Sequence, residues 1–74
     1  MPFVNVRTVK GLLNDEERRQ IQDRIFDVVF EIEGKKDPEF RKYIWVVVEE
    51  MDPAAWSIGG EQLTPETVAG LASR

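Results

Sequence analysis

The chain has no cysteine and no histidine. The first absence excludes disulfides and thiolate metal sites. The second removes the imidazole on which catalytic triads, many metal sites and proton shuttles depend. Positive charge is also scarce: ten Lys and Arg stand against fourteen Asp and Glu, for a net charge of -4. A surface of that sign does not suit the phosphate backbone of nucleic acid. No apolar run approaches the ~18 residues of a membrane span, and no charged-then-apolar leader opens the chain. The expectation is a soluble protein of the cytoplasm, with neither nucleic acid nor membrane as partner. Its 74 residues make one small domain, expected over residues 1–74. With no staple to hold so short a chain, association with further subunits is the expected source of extra stability.

What is present starts at the N-terminus. Residues 3–9 alternate as a strand does: Val4, Val6 and Thr8 share one side, and Phe3, Asn5, Arg7 and Val9 share the other. Just ahead of it stands Pro2, the candidate functional residue. While Met1 is attached, the Pro2 nitrogen is a tertiary amide with no basicity. Removal of Met1, which a small second residue generally permits, turns it into a secondary amine at the end of a strand. An N-terminal amine titrates near about 8 in model peptides, and a ring amine starts somewhat higher. An apolar pocket disfavours the charged form and brings it toward neutrality, where a general base works best. The ordinary reading is that proline often begins a strand.

Lys10-Gly11 ends the strand, and Asn14 reads as a helix N-cap ahead of Asp15, Glu16 and Glu17. A helix is expected from Asp15 to Glu33. Ile21, Ile25, Val28, Val29 and Ile32 form its core-facing stripe, and Phe26 and Phe30 widen the apolar arc, either as the rim of the core or as a contact with another subunit. Asp15–Arg19 and Glu31–Lys35 fit favourable i,i+4 pairs, and Gly34 with Lys35 and Lys36 fits a helix stop. After a turn at Asp37-Pro38, Tyr43 to Val48 reads as a strand apolar on both faces, closed by Glu49 and Glu50.

Two strands joined by a long helix make a right-handed βαβ unit with parallel strands. One helix covers one face of such a sheet, so a second copy is expected to cover the other. Ser57 to Glu61 reads as a short hairpin on Gly59-Gly60, and Thr64-Pro65-Glu66 opens a last short helix to about Ala72. The fold class expected is α+β: two parallel strands, one long helix and a short C-terminal hairpin.

This order of features resembles the 4-oxalocrotonate tautomerase family over roughly residues 2–63. The resemblance is carried by Pro2 after Met1, the step from strand to Gly11, Asn14-Asp15-Glu16-Glu17-Arg18, and Val46-Val47-Val48-Glu49-Glu50-Met51. Its most specific piece is Trp56-Ser57-Ile58-Gly59-Gly60. It implies a tautomerase-like subunit that pairs into a four-stranded sheet and assembles into a homohexamer, a trimer of dimers. It implies Pro2 as the general base of an isomerase, moving a proton between oxygen and carbon of an enol or dienol acid with no cofactor and no metal. Trp56 stands where the family places an aromatic residue that lines the pocket and keeps the proline unprotonated; the same ring also suits an interface anchor.

Two arginines of the family pattern are missing. Leu12 stands where one, after the glycine that follows the first strand, binds a substrate carboxylate. Trp45 stands where a second, at the opening of the second strand, polarises the substrate carbonyl. A hydrogen bond to a charged group is worth ~1.5–3 kcal/mol, so a dicarboxylate loses most from these changes. A more apolar, aryl monocarboxylate is the expected substrate, with Leu12 and Trp45 in the pocket wall. Arg7, Lys10, Arg41 and Lys42 are the cations that remain. Arg41 and Lys42, just before the second strand, are the better placed to bind substrate, although solvated surface charge is the ordinary fate of such residues. The segment Glu33 to Glu39 is longer than in compact members. Two other functions stay open. One is a dehalogenase- or hydratase-like enzyme in which protonated Pro2 donates and Glu49 or Glu50 activates water. The other is a non-catalytic or auxiliary subunit of a homo- or hetero-hexamer whose partner supplies the arginines.

Overall fold

Strands β1 (Phe3–Val9) and β2 (Trp45–Met51) lie side by side and parallel, with Phe3 opposite Trp45 and Val9 opposite Met51. The computed structural model describes residues 1–74. Helix α1 (Asp15–Ile32) and a 3-10 turn (Pro38–Tyr43) connect the two strands. A second 3-10 turn (Pro53–Ala55) leads to β3 (Ser57–Ile58) and β4 (Glu61–Gln62), an antiparallel pair turning on Gly59 and Gly60, and then to α2 (Pro65–Ala72). The result is the expected α+β arrangement.

The ends of α1 follow from its sequence. Asn14 accepts from the Glu17 N–H at 2.7 Å while the Glu17 carboxylate accepts from the Asn14 N–H at 2.9 Å, a reciprocal capping box. The helix closes at Ile32, one residue short of the expected Glu33, which serves as its cap. Gly34 is not the left-handed stop that its position announced. Lys35 and Lys36 take the positive φ values, 52° and 61°, and Gly34 answers a different need. A Cβ there would lie 2.7 Å from the Phe40 ring and 2.8 Å from the Phe30 carbonyl oxygen. Only a residue without a side chain lets the 3-10 turn close onto the end of α1.

The core lies between α1 and one face of the sheet. On that face Val4, Val6, Thr8, Val46, Val48 and Glu50 are half-buried, against Ile21, Ile25 and Val29 of the helix. Val28 and Ile32 do not belong to that stripe. They are 55% and 72% exposed, because a sheet of two strands is narrower than the apolar arc of the helix. Phe26 and Phe30 stack on each other at 5.8 Å beside the core. The expected pairs Asp15–Arg19 and Glu31–Lys35 do not form; Asp15 pairs with Arg18, and Arg19 with Asp23 at 3.5 Å. Val68 of α2, 3% exposed, packs on Gly11 and closes the far end of β1.

β2 differs at both ends from its expected extent. Tyr43 is the last residue of the 3-10 turn, and the strand continues through Glu49 and Glu50 to Met51. Each glutamate meets a cation from another element, Arg7 for Glu49 and Arg18 for Glu50, so carboxylates can occupy strand positions there. Within one chain the sheet is covered on one face only. Phe3, Asn5, Arg7, Trp45, Val47 and Glu49 on the other face are exposed. The molecule is a slab of 44 × 24 × 15 Å, a single helix layer on a single sheet layer.

Candidate active site

Pro2 sits where β1 begins, and its carbonyl accepts a hydrogen bond from the Trp45 N–H at 3.2 Å. That bond extends the parallel ladder one step ahead of the Phe3–Trp45 pair and fixes the proline against the start of β2. A hollow of about 210 Å³ opens at this end of the sheet, lined by Met1, Pro2, Phe3, Tyr43 and Trp45. No carboxylate, lysine or arginine is among its lining residues. Around a ring nitrogen, such walls favour the neutral over the charged form of an amine. Met1 is 84% exposed and forms the outer lip of the hollow. While it is attached, Pro2 offers an amide and no lone pair with basicity.

Of the five candidate residues, Pro2 and Trp45 are therefore together in one chain. Arg41 lies on the opposite, helix-covered side of β2. There it lines a separate hollow with Gln22, Asp23, Phe26, Ile44 and Val46. Its guanidinium rests 4.7 Å from the Phe26 ring centroid and 5.5 Å from that of Phe30, a cation–π seat that holds it away from the Pro2 hollow. Leu12 lines another hollow beyond the far end of β1, with Leu13, Glu17 and Leu71. Trp56 comes after the 3-10 turn that ends β2; its N–H donates to the Pro53 carbonyl at 3.0 Å and its carbonyl accepts from the Leu63 N–H at 3.2 Å. Its indole Nε1 is buried and has no hydrogen-bond partner in the chain.

The parallel register explains the separation. Both strands run from the Pro2 end to the Met51 end, so the segment after either strand starts a strand's length away from Pro2. Seven residues at ~3.3 Å each make that about 20 Å. Leu12 and Trp56 of one chain cannot reach Pro2 of the same chain.

Phe3 and Tyr43 line the Pro2 hollow although the sequence singles out neither as a site residue, and the one with a polar group is Tyr43. It opens an aromatic, β-branched run that reads as strand. The informative signal is the parallel pairing itself, which brings the residues just ahead of β2 to the N-terminus of β1. The ring of Tyr43 packs edge-on against Phe40 at 5.9 Å and has Lys42 Nζ 5.4 Å from its centre.

The two strand glutamates are both engaged. Glu49 Oε1 accepts from Arg7 Nε at 2.9 Å on the open face. Glu50, on the covered face, accepts from Arg18, which also reaches Asp15. The hydrogen bond that Arg18 donates to Glu50, then the one it donates to Asp15, holds its guanidinium above its ordinary pKa. No group of three or more Asp and Glu side chains is arranged to hold a metal ion.

Comparison with known proteins gives these features a context. The family described as tautomerase enzyme matches residues 2–65. Probable tautomerase K2 of Dickeya dadantii (strain 3937) is 30% identical over 64 residues, covering 86% of this chain and 90% of that protein. The crystal structure of YwhB, a homologue of 4-oxalocrotonate tautomerase, is 26% identical with a TM-score of 0.71, over 86% of this chain and 97% of that one. A structure bearing on trans-3-chloroacrylic acid dehalogenase activity shares the fold, at 24% identity and a TM-score of 0.64, over 85% of this chain and all 100% of its own.

Proposed function

The chain belongs to the tautomerase enzyme family, and on that premise we propose that it is a keto–enol isomerase whose base is the Pro2 amine, freed of Met1. The neutral amine takes the proton from the hydroxyl of an enol or dienol acid. The O–H electron pair closes a C=O bond, the C=C pair moves to carbon, and carbon takes the proton back from the ammonium. One O–H breaks, one C–H forms, and nothing is oxidised or reduced. The reading therefore includes no cofactor.

The observation that carries this reading is the setting of Pro2. Its carbonyl is tied to β2 at 3.2 Å, and Pro2 itself lines a hollow together with Met1, Phe3, Tyr43 and Trp45. The uncharged walls also support the substrate preference: an acid with one carboxylate and an aryl body, rather than a dicarboxylate. Assembly is part of the same proposal. The open sheet face and the distance from Pro2 to Leu12 and Trp56 are both resolved when copies pack so that the Met51 end of one meets the Pro2 end of another, as in a homohexamer. No helix of the chain is long and apolar enough to cross a membrane, which is compatible with cytoplasmic residence.

The test is ketonisation of phenylenolpyruvate and of 2-hydroxymuconate by protein whose N-terminus has been checked by intact mass, alongside Pro2→Ala. Turnover that needs Pro2 and favours the aryl acid supports the reading. A second reading, an auxiliary subunit of a hetero-oligomer, is favoured by the lack of any cation in the hollow; inactive protein with a free Pro2 amine would establish it. A dehalogenase- or hydratase-like activity is less well supported, since Glu49 and Glu50 are already paired with arginines.

A further inference from the structure

We propose that Tyr43 and Lys42, the last two residues of the 3-10 turn, form the substrate-oxygen arm of the Pro2 hollow, with the Tyr43 hydroxyl donating to the oxygen on which charge develops and Lys42 meeting the single carboxylate at the rim. This rests on the function proposed above and specifies its substrate class, a planar aryl acid carrying one negative charge.

Proton abstraction from an enol leaves negative charge on its oxygen, and a donor aimed at that oxygen must be in place beforehand. Among the residues lining the hollow, only Tyr43 and Trp45 carry a side-chain N–H or O–H. A phenol is the more acidic of these donors, and O–H···O⁻ bonds are short and strong. Its ring packs edge-on against Phe40, which restricts how it turns, and it lies in the wall of the hollow before substrate arrives. Trp45, 61% exposed, then offers a flat wall on which an aryl group stacks.

Lys42 is the cation beside this wall. Its Nζ lies 5.4 Å from the centre of the Tyr43 ring. Its contact with Glu39 is 3.4 Å, the outer limit of a hydrogen bond, and its side chain is 63% exposed. A carboxylate entering the hollow can displace so loose a partner. Arg41, one residue earlier, is turned to the other side of β2 by Phe26 and Phe30. The turn therefore holds Arg41 away from the hollow and leaves Lys42 beside Tyr43, a residue that lines it. A single rim charge matches a single carboxylate and leaves a second one unmet.

The experiment pairs kinetics with binding. With phenylenolpyruvate, Tyr43→Phe keeps the ring and removes only the donor; kcat is expected to fall at least tenfold while KM changes less than threefold. Lys42→Met is expected to raise KM about tenfold and to flatten its dependence on salt. A Tyr43→Phe enzyme with wild-type kcat, or a Lys42→Met enzyme with wild-type KM, overturns the assignment while leaving Pro2 as base if Pro2→Ala is inactive. Should the wild type turn over no enol acid, the function fails and the arm is read from equilibrium dialysis with phenylpyruvate, which carries both an oxygen for Tyr43 and a carboxylate for Lys42. Binding weakened about threefold or more in each variant upholds the arm, and equal binding by all three proteins removes it.

Discussion

The Trp45 N–H donates to the Pro2 carbonyl at 3.2 Å, so the first residue of β2 fixes the residue that precedes β1. The bond uses only main-chain atoms. It is indifferent to the side chain at position 2, and that separates the fold of this end from its chemistry.

Pro2→Ala is accordingly expected to fold and assemble like the wild type and to lose turnover by about two orders of magnitude, the scale of a general base. Protein that retains Met1 should be as inactive, since an amide cannot accept the proton. Intact mass and initial rates on the same samples check both. Activity in Met1-bearing protein would end the proposal.

The pH profile has a definite sign. The working form of Pro2 is the neutral amine, so kcat/KM should rise with pH as the ammonium loses its proton, and then level. Apolar walls disfavour the ammonium, which puts the midpoint below that of free proline's amine. A midpoint at or above the free value would mean that the hollow does not act on the nitrogen.

Trp45→Arg puts a cation among the residues that line the hollow, where none stands now. A charged hydrogen bond is worth ~1.5–3 kcal/mol, so the ratio of 2-hydroxymuconate to phenylenolpyruvate turnover should rise by about tenfold or more. An unchanged ratio would show that substrate charge is read elsewhere.

Gly34→Ala is expected to destabilise the protein by about 1–3 kcal/mol, because the Phe30 carbonyl and the Phe40 ring already occupy the space of a Cβ. Lys36→Gly should do the reverse, by about 0.5–1 kcal/mol, since its φ of 61° suits glycine better than a side chain. Urea midpoints, compared at one protein concentration, measure both.

Val47→Asp places a charge on the open sheet face, where Val47 is 40% exposed in the single chain. Sedimentation should show smaller species than the wild type, with turnover lost in parallel. Full assembly by this variant would mean that copies meet through some other surface.

The βαβ order is legible because each part has a local cause: alternation in β1, the Asn14 capping box, the glycine pair of the hairpin, Thr64-Pro65 ahead of α2. Sequence and structure part where a distant partner decides the matter. Tyr43 has strand propensity, but Asp37 caps a turn that begins at Pro38 and carries Tyr43 with it. Glu49 and Glu50 look like a stop until Arg7 and Arg18 come to meet them. The left-handed pair at Lys35 and Lys36 has no signal of its own, since the neighbouring glycine is there for Phe40. For the site, the pairing of Phe3 with Trp45 brings Pro2 and Trp45 together. The same pairing sends Leu12 and Trp56 to the other end, a consequence of strand direction that no single motif displays.

Because β1 and β2 point the same way, each slab carries a head with the proline and a tail with the orphaned indole. Catalysis that needs head and tail at once belongs to a population of chains and not to any one of them. Specific activity should then sag on dilution, and inert copies that lend only a tail should revive Trp56-lacking copies that still own a good head.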